Sequence, residues 1–193
     1  YQQALAIKIE YNDRYSQAGT YHNLGIVAQQ LREWEQARSH YQQALAIFIE
    51  YNDRYSQART YHHLGRVAQE LREWEQARSH YQQALAIKIE YNDRYSQAST
   101  YHQLGRVAQE LREWEQARSH YQQAVAIDIE YNDRYSQAST YHCFGNVAIE
   151  LEEFEEAKVN HLQALQIWVE YNDEYSIVTF SLPRISQIYQ ATQ

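Results

Sequence analysis

The chain has 193 residues, is 44% hydrophobic and 22% charged, and carries a formal net charge of −8. That acidic balance argues against a nucleic-acid binder, which normally shows an excess of Lys and Arg. With Pro 1 and Gly 5 a loop-rich or disordered chain is excluded, and the dominant Ala, Gln, Leu, Glu and Arg are good helix formers.

In chain order the first fact is repetition. Leu31–His40, Leu71–His80 and Leu111–His120 are identical blocks forty residues apart. A fixed period of this size marks a repeat array, in which each repeat packs only on its neighbours, so length says little about domain count. Tyr1–Tyr11 matches Tyr41–Tyr51 and reads as the second helix of a preceding repeat (1–11). Four full periods follow at 12–51, 52–91, 92–131 and 132–171, then a divergent tail at 172–193.

Each period predicts two helices. Ala98, Tyr101, Leu104, Gly105, Ala108 and Leu111 form one stripe at helical spacing, and Ala117, Tyr121, Ala124, Val125 and Ile129 form another. Val107 and Ile127 add a second apolar side, as expected for helices sandwiched between neighbours. Asn132-Asp133 joins successive repeats, because Asn tolerates the left-handed conformation after a helix and Asp is an N-cap. Arg112-Glu113 is the turn inside the repeat. Each helix is then about 18 residues, roughly 27 Å long. Gly25, Gly65, Gly105 and Gly145 lie in helix interiors, where Gly costs about 1 kcal/mol against Ala. Close approach of the partner helix is the simplest reason for keeping them.

Tyr101-x2-Leu104-Gly105-x2-Ala108, then Ala117, Tyr121 and Ala124, resembles the tetratricopeptide repeat pattern, and it recurs around Tyr21, Tyr61 and Tyr141. Two departures stand out. The period is longer than the usual 34 residues, and Ile129 replaces the usual helix-ending Pro, so the second helix runs on for more than a turn. This extended form resembles repeats in kinesin light chains and in bacterial signalling ATPases of the STAND class. The resemblance implies an all-α fold, a right-handed α-solenoid of antiparallel helix pairs, with the first helices lining a concave groove. In the tail, Ser181, Arg184 and Ile185 stand where the pattern has Tyr, Leu and Gly, and Pro183 would kink a helix. Residues 173–191 are expected to form an irregular final helix that caps the stack.

The copies differ chiefly at Gly19/Arg59/Ser99/Ser139, Asn23/His63/Gln103/Cys143, Ile26/Arg66/Arg106/Asn146 and Gln30/Glu70/Glu110/Glu150. At helical pitch these fall within an arc of about 60° on the first helix. Exposed Arg54, Arg72, Gln76 and Ser79 stay fixed over 51–130, so exposure alone does not explain the variation. The resemblance assigns this face to the groove. Arg59, His62, His63, Arg66, Ser99, His102, Gln103, Arg106 and Asn146 are therefore the expected protein-binding residues. The histidines and arginines would make the middle of the face positive, suited to an acidic or carboxylate-terminated peptide. The plainer alternative is a solvated basic stripe balancing Glu70 and Glu110.

No metal site is expected from the histidines. Equivalent residues of adjacent repeats should sit on the order of 10 Å apart, and a zinc ion needs its ligands at about 2 Å. Trp34, Trp74 and Trp114 read as core at the turn. Phe48 and Trp168, in the series Lys8/Phe48/Lys88/Asp128/Trp168, are expected to pack on the following helix, with an exposed contact patch as the alternative. Glu152, Glu153, Glu155 and Glu156 read as a solvated turn. No Gly-rich nucleotide loop occurs, no nucleophile–base pair is supported around Cys143, and no cofactor or enzymatic activity is expected. As the only cysteine, Cys143 cannot form an intrachain disulfide, which fits the cytoplasm. No apolar run could span a bilayer, and no signal-peptide pattern is present.

The expected function is a scaffold holding a peptide or protein segment, without nucleic acid or membrane. The rival expectations are three. One is the sensor arm of a larger STAND-type ATPase. Another is self-assembly through exposed repeat ends, where Leu5, Ile7 and Ile9 lack a covering helix. The third is RNA binding by repeat code, which the net charge disfavours.

Overall fold

The computed structural model describes residues 1–191. Nine helices precede the tail: α1 Gln2–Glu10, α2 Arg14–Gln30, α3 Trp34–Glu50, α4 Arg54–Glu70, α5 Trp74–Glu90, α6 Arg94–Glu110, α7 Trp114–Glu130, α8 Arg134–Glu150 and α9 Phe154–Glu170. Those from α2 to α9 are 17 residues each, a residue short of the expected length because both joints take three residues. Among the described residues there is no strand, and no helix is long and apolar enough to cross a membrane.

The joints explain where helices stop. Asn12, Asn52, Asn132 and Asn172 adopt φ of 53 to 55°, as the sequence predicts. The turn inside each repeat uses the same left-handed geometry with Arg32, Arg72, Arg112 and Glu152 at 59 to 60°, which residue type did not foretell. Both joints close alike. The Arg72 amide donates to Gln69 O at 3.0 Å, and the Glu73 amide to Ala68 O at 2.8 Å. This is the paired closure that satisfies orphan carbonyls at a helix end. Asp13, Asp53, Asp133 and Asp173 then cap the next helix, each accepting from the amide three residues on at 3.0 to 3.2 Å.

The chain divides into two compact units, Tyr1–Asp93 and Arg94–Gln193. In the first, α2 pairs with α3 and α4 with α5. Ala28, Ala37, Tyr41, Leu64 and Val67 form one core cluster, and Ala18, Ala44, Ile47 and Phe48 a second. In the second unit, Ala108, Ala117, Tyr121, Phe144 and Val147 hold α6 to α8 together. Ala138, Ala164, Ile167 and Trp168 join α8 to α9. Small Ala side chains at these contacts let the helix axes approach, and Tyr, Phe and Ile fill the remaining volume.

Gly25, Gly65, Gly105 and Gly145 each sit directly against a ring of the paired second helix. A Cβ built on Gly25, Gly65 or Gly105 would lie 2.5 to 2.6 Å from the ring of Tyr41, Tyr81 or Tyr121. At Gly145 the intruder is His161, at 2.7 Å. Trp34, Trp74 and Trp114 are half-buried at the turns, and Phe48 and Trp168 are buried. The four acids at the last turn lie on the surface, but Glu153 and Glu156 both pair with Arg118.

The tail begins with α10 Glu174–Ser176, widens into a π-turn over Ile177–Ser181 and continues as α11 Leu182–Ala191. The Leu182 amide donates to Ile177 O, five residues back. Pro183, which lacks an N–H, follows at once. Widened turns of this kind are a regular way to seat an interruption within a helix. Ile177 packs with Trp168 and Ile167, and Ile188 with Ala148 and Ala157, so the tail covers the apolar sides of α8 and α9.

Candidate protein-binding surface

The first helices of the repeats are α2, α4, α6 and α8, and their variable positions split into two kinds. Gly19, Arg59, Ser99, Arg66 and Arg106 are exposed. Asn23, His63, Gln103, Cys143 and Asn146 are half-buried. Arg59, Arg66 and Arg106 are tied by no hydrogen bond or ion pair among the described residues. Arg54, by contrast, pairs with Glu90 at 2.9 Å, and its counterparts Arg14, Arg94 and Arg134 pair with Glu50, Glu130 and Glu170. The constancy of Arg54 therefore has a structural cause, and it is no measure of what drift at other exposed positions would look like.

The histidines of the expected site are packing residues. His63 stacks on Tyr41 with ring centroids 5.2 Å apart, and its Nδ1 lies 3.3 Å from both the Tyr41 hydroxyl and Gln29 Oε1. It also meets His22 edge-on at 5.1 Å, a closer approach than equivalent positions alone would allow. His22 and His102 place Nδ1 3.1 and 3.0 Å from the hydroxyls of Thr60 and Thr140, on the next first helix. His62 sits edge-on to Tyr81. Burial, aided by neighbouring cations, holds His62 and His63 down to about 3 and His102 to about 4. At neutral pH these imidazoles carry no charge. The positive charge expected of six side chains thus comes from Arg59, Arg66 and Arg106 alone. Asn146 Nδ2 reaches His142 Nε2 at 3.1 Å, and Cys143, packed against the core around Tyr121, has its thiol pushed up by burial. Among the described residues no group of three His, Cys, Asp or Glu could hold a metal ion.

Each unit has a hollow where two first helices meet the end of a second helix. In the N-terminal unit it measures about 400 Å³, with Phe48 from α3, Lys8 from α1, and His22, Asn23 and Arg59 from α2 and α4. Lys8 Nζ is already engaged, donating to Ser16 O at 3.0 Å and Thr20 Oγ1 at 2.8 Å. The hollow of the C-terminal unit measures about 340 Å³. There Asp128 replaces Phe48, Ser139 replaces Arg59, and Ser99 and Gln103 stand for Gly19 and Asn23. Sequence reasoning found the series at 48 and 128 and read it as helix packing, with an exposed contact patch as the alternative. The hollow arises where three helices converge, which pairwise periodicity does not express. Both volumes lie in the range that accommodates a ligand group.

The comparisons with known proteins agree with this architecture. No curated protein matches the chain. Among solved structures, the tetratricopeptide-repeat sensor protein of the STAND ATPase class from Pyrococcus horikoshii superposes with a TM-score of 0.87 at 17% identity, covering 99% of this chain and 30% of that one. The apo form of RapI gives 0.85 at 21%, covering 91% and 65%. A putative kinesin light chain from Podospora anserina with nearly identical repeats gives 0.76 at 20%, covering 92% and 87%. At these identities the likeness is one of fold, all-α repeats of the solenoid class, and this chain spans less than two thirds of the first two proteins. The family described as tetratricopeptide repeat matches over residues 1–50, 16–90 and 56–130, and the chain belongs to that family.

Proposed function

We propose that the chain is a protein-interaction scaffold whose first-helix face holds an extended segment of a partner, with carboxylates meeting Arg59 and Arg66 in the N-terminal unit; within the C-terminal unit Arg106 offers the same kind of contact. The observation that carries this reading is the exposed, unengaged state of these three guanidiniums, with Arg59 also lining the hollow of the N-terminal unit. A planar guanidinium with its donors unused suits two-point contact with a carboxylate. Ser99, Gln103 and Asn146 supply polar contacts on the same face. His62, His63 and His102 act by fixing the helices that carry the arginines.

The test is fluorescence anisotropy with a labelled Glu-rich peptide bearing a free C-terminus. Arg66→Ala combined with Arg106→Ala should weaken binding by about tenfold or more, as expected for loss of charge-assisted hydrogen bonds. Undiminished affinity would remove these residues from the site.

A second reading is favoured by the 99% coverage of this chain by the STAND sensor protein. In it the array is the sensor arm of a larger signalling ATPase, and a Walker-type nucleotide site in flanking sequence would decide for it.

A further inference from the structure

We infer that the hollow of the C-terminal unit receives a lysine or arginine side chain of a bound peptide, with Asp128 at its floor as the counter-charge. This deepens the preceding reading, since it rests on the partner lying along the first-helix face. It differs in sign from the arginine contacts, so the partner segment would carry both charges.

Asp128 lies on α7, is 4% exposed, and lines a hollow open to the first-helix face. A carboxylate taken out of water is normally kept with a cation or several donors. Here the Thr140 hydroxyl is its hydrogen-bonding neighbour, the charge acting on it is another acid, Asp133, and among the described residues no cation offsets it. His102 faces it from α6, but that imidazole is neutral through burial and lies against Thr140. From α8 and its N-cap it faces Tyr135, Thr140 and Asp133, and from α6 also Tyr95. Tyr95 and Tyr135 are already donating, to Asp133 at 2.9 Å and Asp173 at 2.8 Å. Burial, then Asp133, raise the Asp128 carboxyl to about 7. An arriving ammonium or guanidinium would draw it into the ionised state.

The wall suits such a guest. Hydroxyls of Ser99, Ser136 and Ser139 can accept from a cationic head, and the rings of Tyr95 and Tyr135 offer faces to its stem and charge. The corresponding hollow in the N-terminal unit makes the contrast. It has the same helix arrangement but Phe48 at the floor and Arg59 at the lip, so a cation would be repelled there. The second-helix residue (Phe48 or Asp128) and the first-helix residue (Arg59 or Ser139) together set the sign each hollow accepts.

The probe is the tripeptide acetyl-Gly-Lys-Gly-amide, with its Arg, Glu and Leu analogues and n-butylammonium as comparators, titrated into the full chain. Binding is followed by backbone amide and side-chain carboxyl NMR. The Lys and Arg tripeptides should shift the amides of Ser99, Ser139 and Thr140 saturably in the millimolar range and lower the titration midpoint of Asp128. The Glu and Leu analogues should leave these signals unmoved. Asp128→Asn should weaken the Lys tripeptide by about tenfold or more, and Asp128→Phe, which copies Phe48, should abolish binding. The inference is overturned if the native chain shows no saturable shift and no change in Asp128 titration, a result that needs no variant to fold. It is overturned too if Asp128→Asn binds equally well, or if n-butylammonium binds as tightly as the tripeptide, which would make this a small-amine site. If these fail while the Glu-rich peptide still binds through Arg66, only the cation pocket falls. If neither probe binds, both readings fall.

Discussion

A Cβ added to Gly105 would sit 2.5 Å from Cε1 of Tyr121, whereas one added to Gly19 would meet nothing within 4 Å. The two glycines occupy the same type of exposed-to-core helix yet should respond oppositely to one methyl group. Gly105→Ala must displace a buried ring and should destabilise by about 1–3 kcal/mol. Gly19→Ala only improves helix propensity and should stabilise by up to about 1 kcal/mol. Urea unfolding of the two variants checks both signs. The presence of a close contact at Gly105 was legible in the sequence, because a helical Gly is costly without one. Its partner was not, since Tyr121 lies sixteen residues on and only the packing of α6 on α7 selects it. The joints divide in the same way. Asn132 announces its left-handed φ through its chemistry. Arg112, at φ 59°, does not, because Arg has no such preference and the geometry is imposed by the closure around it. A non-Gly residue in this region costs about 1–2 kcal/mol. Arg112→Gly should therefore raise stability by up to about 1 kcal/mol once the greater freedom of Gly in the unfolded chain is set against that relief.

At the scale of elements, a hydrogen bond between first and second helices fixes their register. The hydroxyls of Tyr41, Tyr81 and Tyr121 donate to Gln29, Gln69 and Gln109 at 2.9, 2.7 and 3.1 Å. In the fourth repeat both members change together: His161 replaces Tyr, and Ile149 replaces Gln. His161 is fully buried. His161→Tyr alone would push a hydroxyl towards Ile149 and leave it unsatisfied, at a cost of about 1–3 kcal/mol. Adding Ile149→Gln should recover most of that loss, giving a coupling of about 1 kcal/mol or more in a double-mutant cycle. Additive effects would mean that α8 and α9 are held by apolar contact alone. Helix existence, order and turns were legible from the stripes and caps. The candidate site was legible only as a face. Whether a variable side chain on that face points outwards, as Arg66 does, or wedges against Tyr41, as His63 does, depends on the neighbouring repeat. No periodicity within one helix contains that information.

Across the whole molecule, the burial of imidazoles makes acid the natural denaturant. His22 is held at about 4 and His62 and His63 at about 3 in the N-terminal unit, and His80 is also lowered. In the C-terminal unit His102 and His142 lie at about 4 and His161 at about 3. Each is below its unfolded value of 6.5, so in that window the unfolded chain binds more protons and stability falls as pH falls. Asp128 works in the opposite sense. Its folded value of about 7 lies above the unfolded 3.8, so the folded state binds the extra proton and stability rises as pH drops through that interval. The capping acids Asp13, Asp53, Asp133 and Asp173, lowered overall by their bonds to Ser16, Ser56, Ser136 and Ser176, lose their contribution only at still lower pH. Between pH 6.5 and 4 the C-terminal unit therefore has a buried acid opposing its histidines, and the N-terminal unit has none among these groups. Amide hydrogen exchange should show protection in residues 1–93 declining more steeply on acidification than in 94–191. Asp128→Asn should be more stable than the native chain at pH 8, approach it near pH 4, and bring the acid response of the C-terminal unit closer to that of the N-terminal one. An unchanged pH profile in that variant would mean that the Asp128 carboxyl is ionised at neutral pH without a bound cation, and that its hollow is wetter than its burial implies.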